Sequence, residues 1–347
     1  MYLQKNNRNN LYSLFFVMII GGLFVGYYFF GSNKGEYENA DITQVTIDDS
    51  ASQLSDNTLG EGITNEFDEV IIRIAGDVML ARSIGTGIEN GRDPFTDVSE
   101  KLKSADIAVI NLECVISDKG SPYPGKLYTF EAPVKSIDYI KNSGIDLVSV
   151  ANNHSGDYSH EAFEDMLSRL KADEIDYVGG GLNADEAYKS VVYEIDELKI
   201  AFLAFSNVET EYFSATSVTS GLAWMRDELV QEVITKAKSE SDVLVVYNHW
   251  GYEYQTSYSV DQQITGRTMI DMGADLVVGT HPHVRQGFEE YQGKMIYYSL
   301  GNFVFDVMNS YDASNANILE IRIDQEKNIE SELFPVVLSE EGYPRID

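Results

Sequence analysis

Cysteine is nearly absent from this 347-residue chain, where Cys114 stands alone. An intrachain disulfide is therefore excluded, and so is a thiolate zinc cluster. Positive charge is scarce too: 25 Lys and Arg face 56 Asp and Glu, for a formal net charge of −31. That argues against nucleic acid, which is held through Lys and Arg, and against simple electrostatic capture of any polyanion. A generally acidic surface explains the charge as well as a functional acidic face does. Histidine numbers only five, so the place of each one is informative. No internal repeat is present. What the chain has in quantity is core material, 44% hydrophobic and 12% aromatic residues, enough for one large domain or two modest ones.

Residues 1–10 are polar and carry Lys5 and Arg8 without an acidic residue, and residues 11–31 carry no charge at all. A run of that length matches the ~20 residues needed to cross a hydrocarbon core, with Tyr12, Tyr27 and Tyr28 towards its ends as interface aromatics. It is longer than the usual signal-peptide core, and no small-x-small cleavage site follows. An uncleaved transmembrane anchor is expected, with the N-terminus in the cytoplasm by the positive-inside rule and everything after residue 31 outside the cell. Lys5 and Arg8 contribute +2, so residues 32–347 carry −33. Residues 32–68 hold only two aromatics, Tyr37 and Phe67, and read as a disordered extracellular tether. As a flexible coil such a tether spans on the order of 35 Å, and fully extended roughly 120 Å.

A folded domain is expected over 69–338, followed by a C-terminal tail, 339–347. Strands are expected at 70–75, 107–110, 147–150, 177–178, 243–247, 276–278 and 295–298. A hairpin over 191–205 should turn near Asp196-Glu197. Helices are expected at 95–104, 134–143 (stopped by Gly144), 159–172, 225–240 and 260–272. Ser159 is the candidate N-cap of the third helix, whose buried face is Phe163, Met166, Leu167 and Leu170. Two further strands are expected at 317–323 and 330–338. Strands and helices in alternation argue for an α/β fold with a parallel sheet.

Six apolar runs end in a polar cluster: Asp77, Glu113, Asn153-His154, His249, His281-Pro282-His283 and Asn302. Right-handed crossovers bring the carboxyl ends of parallel strands to one edge, where ligands bind. The clusters should therefore converge. Carboxylates, a carboxamide and imidazoles without sulfur form an N/O metal site suited to Mn, Fe, Zn, Co or Ni, with Mn, Fe or Zn foremost. A mononuclear zinc site takes three protein ligands and a water. The larger number of candidates here is enough for two divalent ions sharing a carboxylate, about 3.5–4 Å apart. His160 opens a helix and reads as a surface residue.

With these residues in place, the chain resembles the CapA family of poly-γ-glutamate capsule proteins. The matching pieces, in order, are GDVMLAR (76–82), NLE (111–113), ANNHSGDY (151–158), HWGYEY (249–254), GTHPHVRQG (279–287) and YSLGNFVFD (298–306). The family is similar to the calcineurin-like metallophosphoesterases. This resemblance implies a four-layer α/β/β/α sandwich, with the 191–205 hairpin and both terminal strands in a second sheet. It implies Asp77 as the first metal's carboxylate, Glu113 as the bridge, Asn153 as the second metal's amide and His154 as the general acid. His249 and His281 would complete the second metal, and His283 the first. It also implies partners: poly-γ-glutamate and the other membrane subunits of a synthase or export complex.

Two positions depart from the phosphoesterase pattern. Met79 stands where a histidine ligand is expected, and Glu113 replaces an aspartate. Glu253 is a candidate replacement ligand. Because bulk electrostatics repel a polyanion, substrate would need local cations: Arg82, Arg285 or bound metal. Glu253 and Asn302 complete the expected substrate-facing set. Three readings stay open: a capsule-synthesis component with a phosphatase-like domain, a hydrolase of phosphoesters or γ-glutamyl amides, and a non-catalytic polymer-binding scaffold.

Overall fold

The structure, a computed structural model, describes residues 69–306 and 310–346. The anchor expected at 11–31 and the tether at 32–68 lie outside the described residues. Among the described residues, no helix is long and apolar enough to cross a membrane.

Two sheets form the centre of the fold. The first runs, from one edge, through Pro344–Ile346, Ile329–Leu338, Asn315–Ile323, Val70–Val78, Ile107–Leu112, Leu147–Ser149 and Asp176–Val178. The second runs through Phe288–Tyr291, Lys294–Tyr297, Leu276–Thr280, Val243–His249, Leu198–Ser206 and Val191–Ile195. The four central strands of the second sheet are mutually parallel, and its two edge strands are antiparallel.

Alternation along the strands explains the packing. Ile72, Ile74 and Val109 of the first sheet meet Ile200, Phe202, Val245, Tyr247 and Val278 of the second. The opposite faces carry Ala108, Ile110 and Val148 towards one set of helices, and Leu203, Phe205, Leu244 and Val246 towards another. A strand buried on both faces reads as a continuous apolar run. The layers are therefore helix, sheet, sheet, helix, in a mixed α/β fold. The helix Ser159–Ala172 turns Phe163, Met166, Leu167 and Leu170 inward, as its periodicity predicts. The hairpin turns at Asp196 and Glu197, both left-handed at φ 48° and 71°, the backbone of a type I′ turn.

The structure corrects several expectations. The terminal strands Asn315–Ile323 and Ile329–Leu338 belong to the first sheet, where the former pairs antiparallel with Val70–Ile74. Only the hairpin is in the second. The sheet also continues past residue 338, because Pro344–Ile346 pairs with Val336–Leu338. Ser159 does not cap its helix; it is the first helical residue, at φ 85°, and no side chain caps that end. The helix expected over 95–104 is only Ser99–Lys103, preceded by a turn in which Asp93 Oδ1 accepts from the Phe95 amide at 2.8 Å. A helix at Arg82–Glu89 was not expected, since Gly85 and Gly87 interrupt its pattern.

One glycine is fixed by the site's construction. A Cβ on Gly76 would lie 1.8 Å from the Gly301 carbonyl oxygen. That close approach lets Asn302–Val304 pair parallel with Asp77 and Val78, just beyond the point where the antiparallel neighbour stops at Ile74.

Candidate metal centre

Strand register brings the polar run-ends together. Asp77 is opposite Asn111 on one side and Asn302 on the other, and His249 is opposite Thr280. Asp77, Glu113, Asn153, His154, His249, His281, His283 and Asn302 are all buried. His281 and His283 sit in the left-handed region at φ 94° and 58°. Non-glycine residues hold that conformation only where surrounding contacts impose it. Here the His281 amide donates to Asp77 Oδ2 at 3.2 Å, and the Tyr254 amide donates to the Pro282 carbonyl at 2.8 Å.

Three groups of ligand atoms converge, each within 4.8 Å: Glu113 with His249 and His281, Asp77 with Glu113 and His283, and Glu253 with His281 and His283. Asn153 Oδ1 stands 2.9 Å from His249 Nε2. Glu113 Oε1 lies 3.6 Å from His283 Nε2, 3.9 Å from His154 Nε2 and 4.0 Å from His249 Nε2. Among the described residues, neither Glu113 oxygen has a hydrogen-bond partner, and neither does His281 Nδ1. A fully buried carboxylate left without donors is costly unless something neutralises it. A divalent ion does so, and the N/O donor set fits one.

The electrostatics agree. Burial, with Asp77 beside it, pushes the Glu113 carboxyl well above its usual range. Burial would also raise Asp77, but hydrogen bonds from His283 and Asn111 hold it below normal. Burial drives His249 well down, and drives His281 to about 3 with help from His283. Both imidazoles are therefore neutral at physiological pH, the form that ligates metals. Burial opposes the charge on His283, yet its contact with Asp77 raises it overall.

Several residues that hold the site escaped the sequence reading. Asn111 donates to Asp77 Oδ1 at 2.8 Å and accepts from Asn152 at 3.0 Å. Asn152 in turn accepts from the His154 amide at 3.0 Å. Thr280 Oγ1 is 3.1 Å from His249 Nδ1, orienting that ring. Asp157 Oδ2 meets His154 Nδ1 at 2.7 Å and the Phe130 amide at 2.7 Å, and Lys126 reaches both Asp157 and the Asn153 carbonyl. For Asn111, Asn152 and Thr280 the available signal was a polar residue buried inside or just past a strand; Asp157 and Lys126 lie in loops.

The expected substrate-facing residues divide. Asn302 is used within the protein, with Oδ1 2.9 Å from His283 Nδ1 and Nδ2 donating to Ala313. Arg82 is half-exposed, pairs with Asp306 at 2.8 Å and lies 5.6 Å from the Phe130 ring. Arg285 is partly buried beside a bridge to Leu300, with no ion pair among the described residues. Met79 is buried in the helix-side core, its sulfur 3.2 Å from the Ala81 amide. His160 is exposed, stacked on Phe213.

The chain is similar to several known proteins. The NAD nucleotidase NadN of Haemophilus influenzae aligns at a TM-score of 0.44 and 12% identity, covering 80% of this chain and 60% of that one. A 5'-nucleotidase precursor of Thermus thermophilus aligns at 0.45 and 12%, covering 80% and 56%. The capsule biosynthesis protein CapA of Bacillus anthracis is 33% identical over 251 residues, covering 70% of this chain and 61% of that protein. The PGA biosynthesis protein CapA of Bacillus subtilis (strain 168) is 32% identical over 247 residues, covering 70% and 65%. This chain thus spans less than two thirds of either relative's length. Residues 71–307 match the model of the family described as bacterial capsule synthesis protein PGA_cap, and the chain belongs to that family.

Proposed function

We propose that this chain is a membrane-anchored, extracellular accessory of poly-γ-glutamate capsule synthesis or export, whose folded domain is a metal-dependent hydrolase of the calcineurin-like phosphoesterase type. The observation that carries the hydrolytic reading is the buried Glu113 carboxylate, unpartnered and ringed by His154, His249 and His283. The four layers support the fold type. Family membership and the names of the two CapA relatives support the polymer. The uncharged run 11–31, preceded by Lys5 and Arg8, supports the anchor and its orientation. Partners on this reading are poly-γ-glutamate and the other membrane subunits of the synthesis or export complex, and nucleic acid is not among them.

Asp77, Glu113, Asn153, His249, His281 and His283 would hold one or two divalent ions, with Mn, Fe or Zn suited to the donors. Such ions would supply Lewis acidity to a phosphoryl or carbonyl oxygen and lower the pKa of water. His154 moves the proton. Its Nδ1 is held by Asp157, which leaves Nε2 facing Glu113 across 3.9 Å. Burial pushes this imidazole down to about 4 against the pull of Asp157, so at neutral pH Nε2 is an unprotonated base, which would take a proton from the attacking water and return it to the leaving group. Phe130 stacks on the ring at 4.0 Å and shields that face from water.

Incubating the full chain and Mn2+ with poly-γ-glutamate, and separately with phosphoesters, should release glutamate or phosphate. His154→Ala should slow release by about 10²–10⁴-fold, and His281→Ala should abolish it. Inactivity on both substrate classes across divalent metals would sink the hydrolase. Unchanged extracellular polymer after gene deletion in a producing host would sink the capsule role. The burial of Met79 away from the cluster favours a second reading, a polymer-binding scaffold. Capsule output that survives alanine at Glu113 and His281 would select it.

A further inference from the structure

The group formed by Asp77, Glu113 and His283 lacks a fourth protein donor from position 79, because Met79 points its sulfur at the Ala81 amide within the helix-side core. A carboxylate oxygen of Glu253 lies with ring nitrogens of His281 and His283, all within 4.8 Å of one another. Glu253 is exposed, whereas both histidines are buried. An exposed carboxylate needs no partner, so its approach to two buried imidazoles is not forced by its own desolvation. The backbone delivers it. Trp250 is buried, and its indole donates to the Tyr298 carbonyl at 2.9 Å. Tyr254, at φ 60°, donates its amide to Pro282, between the two histidines. Glu253 hangs between these two anchors.

We propose that Glu253 enters the coordination shell of the ion held by Asp77, Glu113 and His283. This deepens the metal-dependent reading and rests on it. Three carboxylates, Asp77, Glu113 and Glu253, then face the four positive charges of two divalent ions. The ion that Glu253 reaches keeps a solvent-exposed ligand. The ion held by Glu113, His249 and His281, with Asn153 beside it, is enclosed by buried groups. The outer ion should therefore exchange faster.

The test needs no substrate. Full chain, wild type and Glu253→Gln, is dialysed against Mn2+, and ion content and affinity are measured by elemental analysis and titration calorimetry. Wild type should hold two ions. Glu253→Gln should keep the inner one and bind the outer one more than about 100-fold more weakly, since outlying residues that merely support a ligand already cost 10–100-fold. Unchanged content and affinity in Glu253→Gln would overturn the proposal, and so would a wild type that holds one ion or none. A second variant reads contact directly. Glu253→Cys loaded with Co2+ should gain a thiolate-to-cobalt charge-transfer absorption absent from wild type, whose only cysteine is buried; no such band overturns the proposal. Two ions held through Glu253 alongside failed hydrolysis would remove the hydrolase and leave this ligand in place.

Discussion

Glu113 and Glu320 are both almost completely buried, 0% and 1% exposed, yet the protein treats them oppositely. Every oxygen of Glu320 meets a cation. Arg73 Nε is at 2.8 Å, Lys101 Nζ at 3.2 Å and Arg322 at 2.5 Å. Burial alone would raise this carboxyl, but hydrogen bonds from Arg73 and Lys101 hold it at about 2. Glu113 has no donor among the described residues, and its carboxyl is raised well above normal. A buried charge that is structural carries its counter-charge on the chain. One that belongs to a site leaves the counter-charge to a ligand.

The largest test of this contrast is Glu320→Ala, which strands Arg73 as an uncompensated buried cation. It should cost about 3–5 kcal/mol in urea unfolding. The sign with pH follows. The Glu320 pKa is about 2 folded and about 4.3 unfolded. Its stabilisation is complete above the unfolded value and is lost as pH falls towards the folded one, so Glu320→Gln should flatten the acid limb of the stability curve. Next in size is metal. Free Mn2+ at 100 times its dissociation constant should add about 2.7 kcal/mol, measured as a rise in Tm. Glu113→Gln should remove that increment while changing the metal-free chain by about 1 kcal/mol or less, towards greater stability. Smallest is Lys327→Ala. It breaks a surface pair with Asp242 at 2.6 Å and should cost no more than about 0.5 kcal/mol. A loss at Glu113 as large as that at Glu320 would break the comparison.

Much of the centre was legible before the fold was known. Strands buried on both faces are mostly apolar, so Asp77, Glu113, His249 and His281, at or just past their carboxyl ends, stand out. Their convergence follows from parallel strands sharing a carboxyl edge. The supporting residues were hidden for the same reason. Asn111 and Asn152 act on each other across 41 residues of sequence, and no local pattern reports such a bond. Asp157 enters the sequence only as part of ANNHSGDY (151–158), and nothing local shows that His154, Lys126 and Phe130 meet on it. The sheet membership of Asn315–Ile323 was equally non-local, because its partner is Val70–Ile74 at the far end of the domain. Asn302 was expected to face substrate, but its register opposite Asp77 turns it onto His283.

The most direct measurement is the divalent-ion content of the purified full chain beside Glu113→Gln, by elemental analysis after metal supplementation. The account predicts two ions per chain in wild type and loss of ions in Glu113→Gln with the fold intact by circular dichroism. No bound ion in wild type, or equal content in both proteins, would contradict it.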